Sequence, residues 1–198
     1  MYKRQVRDSV ASALSLGVLL LLPFLVTAVA GPAEGAVFGI CLAIAHGLDL
    51  VSSGTGVSLT VHAADRRAEA VGMAVAVWRR VAVLVAAGAL ALSLLAPLVL
   101  PLLGDTYVDR GGVTVLVVLA LTSVIRTVFI LWASLQRALH RTGLLLWANT
   151  AATCTVLPLV VLLADRWGAV GGALGLAVGQ CALTGGVLVH LLLTRRVR

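Results

Sequence analysis

Residues 113–135 read VTVLVVLALTSVIRTVFILWASL, an unbroken run whose one charged member is Arg126. About 20 apolar residues, each rising 1.5 Å along a helix, cross the hydrocarbon core of a bilayer. Inside lipid the backbone must satisfy its own hydrogen bonds, which a helix does and a lone strand does not. The stretch therefore predicts a transmembrane helix. It also sets the class of the chain, because five other stretches are built in the same way.

Composition agrees with repeated membrane crossing. Of 198 residues, 61% are hydrophobic and 12% are charged, whereas a soluble domain carries about 25% charged residues. We expect an all-α integral membrane protein, a single bundle of about six transmembrane helices over residues 6–198. The first apolar segment, at about residues 9–30, lacks a persuasive small-x-small cleavage site, so we interpret it as a span rather than a signal peptide. The predicted spans are about 9–30, 36–61, 81–103, 113–135, 143–164 and 168–194.

The basic residues predict the orientation of these spans. Lys and Arg concentrate in cytoplasmic connections. Twelve of the fifteen lie in alternate segments, namely the N-terminus, the second and fourth connections and the C-terminus, and two lie in the opposite set. Six spans with both termini cytoplasmic fit this division. We expect the protein in the cytoplasmic (inner) membrane. Because the arginines separate apolar blocks and form no single patch, we expect no nucleic-acid partner.

Two short segments are interpreted separately. Residues 1–5, MYKRQ, are what a transposase-derived adapter sequence would encode, so we expect a non-native scar and a natural chain that is longer upstream. Six or more further spans in frame upstream of codon 6 would confirm this. Residues 63–80 mix charged and apolar side chains and end in Trp78 and two arginines, so an amphipathic helix on the inner leaflet and a solvated loop both remain open.

Two charged residues lie within predicted spans, Asp49 in the second and Arg126 in the fourth. A charge at mid-membrane costs about 2.5–3.5 kcal/mol, so each should face a partner or a water-filled cavity. An ion pair that locks two helices and a pair of cavity-lining side chains are both open. His46 lies three residues before Asp49, which allows a proton-linked role. Polar or small residues share these faces: Ser53, Gly56 and Thr60 on the second span, and Thr122, Ser123 and Thr127 on the fourth.

The remaining motifs favour packing over chemistry. Gly171, Gly175 and Gly179 repeat every fourth residue, a spacing that lets helix backbones approach closely in lipid. The three cysteines lie apart inside apolar blocks, and no His/Cys cluster has metal-ligand spacing. No nucleophile–base pair, carboxylate pair or phosphate loop stands out. We therefore expect no enzyme activity, no catalytic residue, no metal and no cofactor.

Four stretches resemble one family of transporters. LDLVSSGTGVSLT at 48–60 is similar to the family's eighth helix, and WRR at 78–80 with PLLGDTY at 101–107 is similar to its ninth helix and G-x-x-Y turn. LQRALHRT at 135–142 and RWGAVGGA at 166–173 resemble the turn before the eleventh helix and the entry to the twelfth. The family is the bacterial polysaccharide (O-antigen-type) flippases of the multidrug/oligosaccharidyl-lipid/polysaccharide exporter superfamily, whose C-terminal half the chain resembles. Ala164 and Asp165 depart from its Ile-Pro-like step.

The resemblance implies one lobe of a two-lobed, MATE-like transporter that moves a polyprenyl-diphosphate-linked glycan across the membrane by alternating access. Its partners would be the lipid-linked glycan, membrane lipids and a missing N-terminal lobe of the same protein. Arg126, Asp49 and His46 are the candidate cavity residues. Three alternatives stay open: an ion-coupled small-molecule (drug) exporter of the same superfamily, a membrane-embedded enzyme of envelope-lipid synthesis, and a structural subunit clamped by Asp49 and Arg126.

Overall fold

The chain folds as a bundle of α-helices. The computed structural model describes residues 2–65, 70–139 and 142–196, and every regular element in these ranges is helical. The all-α prediction is confirmed. The helices are α1 (Tyr2–Ala30), α2 (Pro32–Asp65), α3 (Ala70–Leu103), α4 (Asp105–Asp109), α5 (Gly112–Ala138) and α6 (Thr142–Arg196). Met1 lies outside the described residues, and the backbone of residues 2–5 continues α1.

Five of these helices are long and apolar enough to cross a membrane. The bundle exposes many large hydrophobic side chains, among them Phe24 at 72%, Leu90 at 62% and Leu102 at 86%. Soluble monomers rarely expose large contiguous apolar surfaces, whereas lipid tails accept them without cost. The apolar segments are Ser12–Ala30, Pro32–Leu59, Gly72–Leu103, Gly112–Ala138 and Gly143–Leu191.

The last of these segments, 49 residues long, supplies two crossings because α6 folds back on itself. Helical geometry is interrupted at Trp167 and at Gly168, whose φ is +57°. Beyond the break, a Cβ on Gly171 would meet the carbonyl of Leu163, eight residues earlier in sequence. Such a contact is impossible along a straight helix, so α6 is an antiparallel hairpin with a first arm before residue 167 and a second arm after residue 168. The predicted fifth and sixth spans are these two arms.

The G-x-x-x-G repeat of the second arm lies against the first arm. A Cβ on Gly175 would come within 2.8 Å of the backbone of Val160, and one on Gly179 within 2.6 Å of the Val156 side chain. Glycine at these positions lets the two arms touch backbone to backbone, which increases dispersion contact in lipid.

Helix α5 occupies the centre of the bundle, packed against α2, α3 and α6, while α1 packs on α6 and α2. The main core cluster joins all five long helices around Phe38, Leu100 and Leu116, which are fully buried or nearly so. Two smaller clusters lie toward the other end of α5, one shared with α2 and α3 and one with α6. Any side chain on the inward faces of α2 and α5 is therefore shielded from lipid.

The bundle has two ends, which we call the Glu34 end and the Arg80 end. At the Arg80 end, α3 continues without interruption from Ala70 through Trp78 into its apolar segment. Ala74 is buried there against Leu59 and Leu135, in the cluster that joins α2, α3 and α5. Both expectations for residues 63–80, an interfacial helix or a loop, are therefore wrong over residues 70–80, because an upright helix buries its apolar face on its neighbours. Residues 66–69 lie outside the described residues.

At the Glu34 end, one carboxylate joins three elements. Glu34, in the first turn of α2, accepts a hydrogen bond from the backbone N–H of Ala169 at 2.8 Å, which caps the second arm of α6. Its other oxygen accepts from Arg110 Nη1, just before α5, at 2.9 Å. A Cβ on Gly168 would lie 2.5 Å from this carboxylate, so the hairpin turn requires glycine both for its positive φ and for space.

The hairpin packing makes a direct prediction about Gly175. Replacing Gly175 by Leu forces a side chain into the backbone of the first arm and should reduce stability by about 1–3 kcal/mol, the usual cost of overpacking. The measurement is thermal denaturation of the purified chain in detergent. Gly185, on the same arm, is the matched control, because a Cβ there would meet no atom within 4 Å. Equal losses in Gly175→Leu and Gly185→Leu would contradict the hairpin contact.

Candidate functional site

The two charged residues that the sequence places mid-span lie at similar depth in the bundle. Counted from the Glu34 end, Asp49 lies 17 residues after Pro32, the first residue of α2. Arg126 lies 14 residues after Gly112, the first residue of α5. At a rise of about 1.5 Å per residue, these separations are about 26 Å and about 21 Å. Because α2 and α5 pack directly on each other, the side chains meet in the interior of the bundle.

Asp49 and Arg126 form an ion pair. Arg126 Nη1 donates a hydrogen bond to Asp49 Oδ2 at 2.8 Å, the distance of a strong charge-assisted bond. The Asp49 side chain is 5% exposed and that of Arg126 is 20% exposed. His46 Nδ1 lies 3.3 Å from the same carboxylate oxygen, and its side chain is 32% exposed. The three residues named from the sequence thus form one chain of contacts, His46 to Asp49 to Arg126.

The other carboxylate oxygen, Asp49 Oδ1, is buried and has no hydrogen-bond partner among the described residues. The hydroxyl of Ser52, one turn further along α2, is also buried without a hydrogen-bond partner among the described residues. Burying a polar atom without a partner costs about 1–3 kcal/mol, so the carboxylate is under-satisfied on this side. Asp49 therefore retains the capacity to accept a proton or another hydrogen bond.

The polar face of α2 differs by one residue from the sequence expectation. Ser52 is fully buried, whereas Ser53 is exposed on the surface of the bundle. A helix completes a turn in about 3.6 residues, so neighbouring positions point to different faces. Gly56 is buried as expected, close to Ser134 of α5. The side chain of Thr60 lies outside the described residues.

The polar residues of α5 mainly satisfy the helix backbone. Thr122 Oγ1 donates to the carbonyl of Val118 at 2.7 Å, and Thr127 Oγ1 donates to that of Val124 at 2.8 Å. Ser123 is the exception, since its Oγ donates across the interface to the carbonyl of Ala45 at 3.4 Å. This bond links α5 to α2 one turn from the ion pair.

Two cavities meet at Arg126. The first, about 10 Å³, lies between α2, α5 and α6 and has room for about one water molecule. The second, about 50 Å³, lies between α1, α5 and α6. Arg126, Leu176 and Gln180 line both cavities, so these three side chains stand at the boundary between them. The first cavity is lined also by Leu42, Ala45, His46, Asp49, Leu119, Thr122 and Ser123.

The second cavity is amphipathic. Its polar lining comes from Ser15, Asn149, Thr153 and the two shared residues Arg126 and Gln180. The rest of its lining is apolar: Val18, Leu19, Leu22, Phe129, Ala152, Val156, Leu176 and Leu183. A cation beside amides and hydroxyls suits an anionic group, and the apolar wall suits a hydrocarbon chain.

The guanidinium has capacity beyond its bond to Asp49. A guanidinium carries five N–H donors in a planar fork. Among the described residues, Asp49 is its one ion-pair partner, through Nη1. The remaining donors are therefore available for a further hydrogen bond, which the low dielectric of the bundle interior would strengthen.

Sequence reasoning gave too little weight to Gln180. Its Nε2 donates to Thr184 Oγ1 of its own helix at 3.5 Å, and its side chain lines both cavities beside Arg126. Its position one residue after Gly179 was the available signal, because the glycines fix which face of the second arm meets the first. Glu34 was also missed, although it is the one acidic residue in the first turn of α2.

The remaining His, Cys, Asp and Glu residues form no second candidate site in the part of the chain that the structure describes. No group of three or more His, Cys, Asp or Glu residues there could hold a metal ion. Cys41, Cys154 and Cys181 are free thiols, and Cys41 is buried with its Sγ 3.5 Å from the carbonyl of Gly112. The Asp49–Arg126 site is therefore the strongest candidate. Comparison with family models, with curated proteins and with solved structures finds no match to this chain.

The ion pair predicts a specific pattern of stability in variants. Arg126→Met leaves the Asp49 carboxylate buried and unpaired, and should lower the free energy of unfolding by about 3 kcal/mol. This value is at the lower end of the range for a broken buried ion pair, because Arg126 keeps some exposure. Arg126→Met combined with Asp49→Asn removes both charges and should recover most of that loss. Thermal denaturation in detergent measures the two single variants and the double variant.

Arg166→Met, which removes an exposed arginine beside the α6 turn, is the control and should change little. If the losses in the two single variants simply add in the double variant, Asp49 and Arg126 are not energetically coupled.

Proposed function

We propose that the chain is one lobe of a multi-pass transporter of the cytoplasmic membrane, which helps move a polyprenyl-diphosphate-linked glycan across the bilayer by alternating access. In this proposal both termini are cytoplasmic, and a second lobe completes the transporter. The protein acts by binding and conformational change and carries out no bond-making chemistry.

A single observation carries the proposal: Arg126, at mid-depth, lines two cavities and is held by one acidic partner. Ionised residues inside membrane spans usually mark substrate or ion paths, because their cost must be offset by function or pairing. A purely structural pair would satisfy both partners, yet Asp49 Oδ1 and several donors of Arg126 have no described partner. These free positions support a site that takes a further ligand.

The chemistry of the second cavity supports the class of ligand. Guanidinium groups bind phosphate oxygens in bidentate fashion, so Arg126 would hold a diphosphate, with Asn149 and Gln180 as neutral donors beside it. The apolar lining from α1 and α6 would accept the first part of a prenyl chain. The cavity of about 50 Å³ is small, so entry of a diphosphate requires the helices around it to separate. Alternating access supplies such a movement.

The resemblance to the polysaccharide flippases supports the same proposal from the sequence. It covers nearly the whole chain and implies that a six-span lobe faces a cavity. The folded-back α6 matches the requirement for six spans, because its two arms are the fifth and sixth crossings. Lipid-linked glycan, membrane lipids and the other lobe are the proposed partners.

Export measured in cells tests the role of Arg126. Arg126→Ala in the full-length protein should reduce glycan export by at least about tenfold at normal protein level, since it removes the cation that would hold the diphosphate. Arg126→Lys should keep part of the activity, because an ammonium keeps the charge but not the planar fork. Glycan delivered to the outer face of the membrane is the quantity to measure.

Arg166→Ala removes an equal charge at an exposed position and is the matched control, expected to export normally. Undiminished export by Arg126→Ala would overturn the transport role of that residue. Loss of the protein itself, with export per molecule unchanged, would favour the helix clamp.

A second candidate is an ion-coupled exporter of small molecules, and the buried, unpartnered Asp49 Oδ1 is the observation that favours it among the described residues. In this candidate Asp49 binds the coupling ion. Asp49→Asn should then abolish the dependence of transport on an imposed proton or sodium gradient, which vesicle transport assays measure. Transport that responds to every imposed gradient as in the wild type would rule out this role.

A further inference from the structure

The charges around Arg126 must stay balanced when an anion binds there, a requirement that the proposed function does not address. With His46 neutral, the Asp49 carboxylate and the Arg126 guanidinium cancel, so the site has no net charge. An anion that binds the guanidinium from the second cavity adds its charge to this balance. The site lies at mid-depth in the bundle, where uncompensated charge is strongly disfavoured.

We propose that binding of an anionic phosphate-like group to Arg126 is accompanied by uptake of one proton by His46, which then serves as the counter-ion of Asp49. The proposal rests on the proposed function in one respect: it takes an anionic group as the ligand of Arg126. It adds that occupancy of the site by this ligand and protonation are coupled.

His46 is positioned to take over Asp49 from Arg126. Its Nδ1 lies 3.3 Å from the same Oδ2 that Arg126 Nη1 binds at 2.8 Å, so both cations would compete for one oxygen. In the resting site the short bond goes to Arg126 and the long one to His46. When an anion draws the guanidinium toward the second cavity, a protonated His46 closes on the carboxylate, and charge stays balanced on both sides.

The proton has a defined destination. With Nδ1 donating to Asp49, the lone pair of His46 Nε2 is the accepting site, and no described residue bonds it. The His46 side chain is 32% exposed whereas that of Asp49 is 5% exposed, so the imidazole is the more accessible of the two groups. The proton comes from solvent and no bond other than N–H forms, so the step is a simple protonation.

No further charged group from the described part of the chain lines the cavity beside the pair. Within the first cavity α5 contributes Arg126, and α6 contributes Leu176 and Gln180, which carry no charge. Residues of α1 and α3 do not line this cavity, and the described charged side chains of α3, Arg79 and Arg80, lie at the Arg80 end. The proton balance therefore depends on His46, Asp49 and Arg126.

The experiment counts protons with sulfate, an anion that does not itself titrate near neutral pH. The purified chain in nanodiscs, in weak buffer at about pH 7, receives a saturating amount of neutral sodium sulfate, and a pH indicator reports uptake. Sodium gluconate at equal ionic strength gives the background that comes from ionic strength alone. The wild type should take up about one proton per chain, and its sulfate affinity should fall as the pH is raised, because each binding event then requires a proton from a more dilute supply.

Three variants make the count decisive. His46→Gln should bind sulfate with no proton uptake and with an affinity independent of pH. Asp49→Asn should also take up none, because the sulfate-bound site then has the same net charge without a proton as the wild type has with one. His190→Gln, which removes a histidine near the far end of the second arm of α6, is the matched control and should keep the full uptake.

The outcomes separate this inference from the proposed function. Sulfate binding without proton uptake in the wild type, or full uptake in His46→Gln, overturns the linkage while leaving Arg126 as an anion site. Absence of any Arg126-dependent sulfate effect also overturns it, and the export assay on Arg126→Ala then decides the proposed function independently. If Asp49→Asn fails to fold, His46→Gln alone decides, because His46 is only half-buried and its replacement leaves the ion pair in place.

Discussion

The bond between Arg126 and Asp49 is the interaction on which the interior of this bundle depends. Hydrocarbon does not solvate an ionised side chain, so neither residue is tolerated at mid-depth without a partner. The pair joins α5 to α2, with 2.8 Å between Nη1 and Oδ2. This contact fixes the register of the two helices against each other. Ser123 adds a bond to the backbone of α2 one turn away. The other helices then pack around this central pair.

Two features at the Glu34 end hold the surrounding helices in place. Glu34 caps the second arm of α6 and binds Arg110, so α2, α6 and the approach to α5 are joined by one carboxylate. The glycine face of the second arm lies directly on the first arm. Gln180 is thereby placed beside Arg126, and the second cavity is formed between this hairpin, α1 and α5. An end held together by these contacts and a cavity at mid-depth fit the proposed binding site.

The structural role of the pair is compatible with the function proposed for it. A satisfied ion pair stabilises a bundle, but this one leaves Asp49 Oδ1 and part of the guanidinium without described partners. An incompletely satisfied pair in a low dielectric responds strongly to any added charge. In the proposed function the pair both holds α2 to α5 and binds an anion, so a clamp and a cavity need not be alternatives.

The helical class, the apolar segments and the depth of Asp49 and Arg126 could be predicted from the sequence, because they follow from composition and from the constant rise of a helix per residue. The sequence did not determine which polar residues turn inward: Ser52 is buried and Ser53 is exposed, a difference of one position that only contact with α5 fixes. The upright course of residues 70–80, the role of Glu34 and the place of Gln180 between two cavities were likewise decided by tertiary structure. Each depends on which helix lies opposite, and periodicity along one helix carries no information about its neighbour.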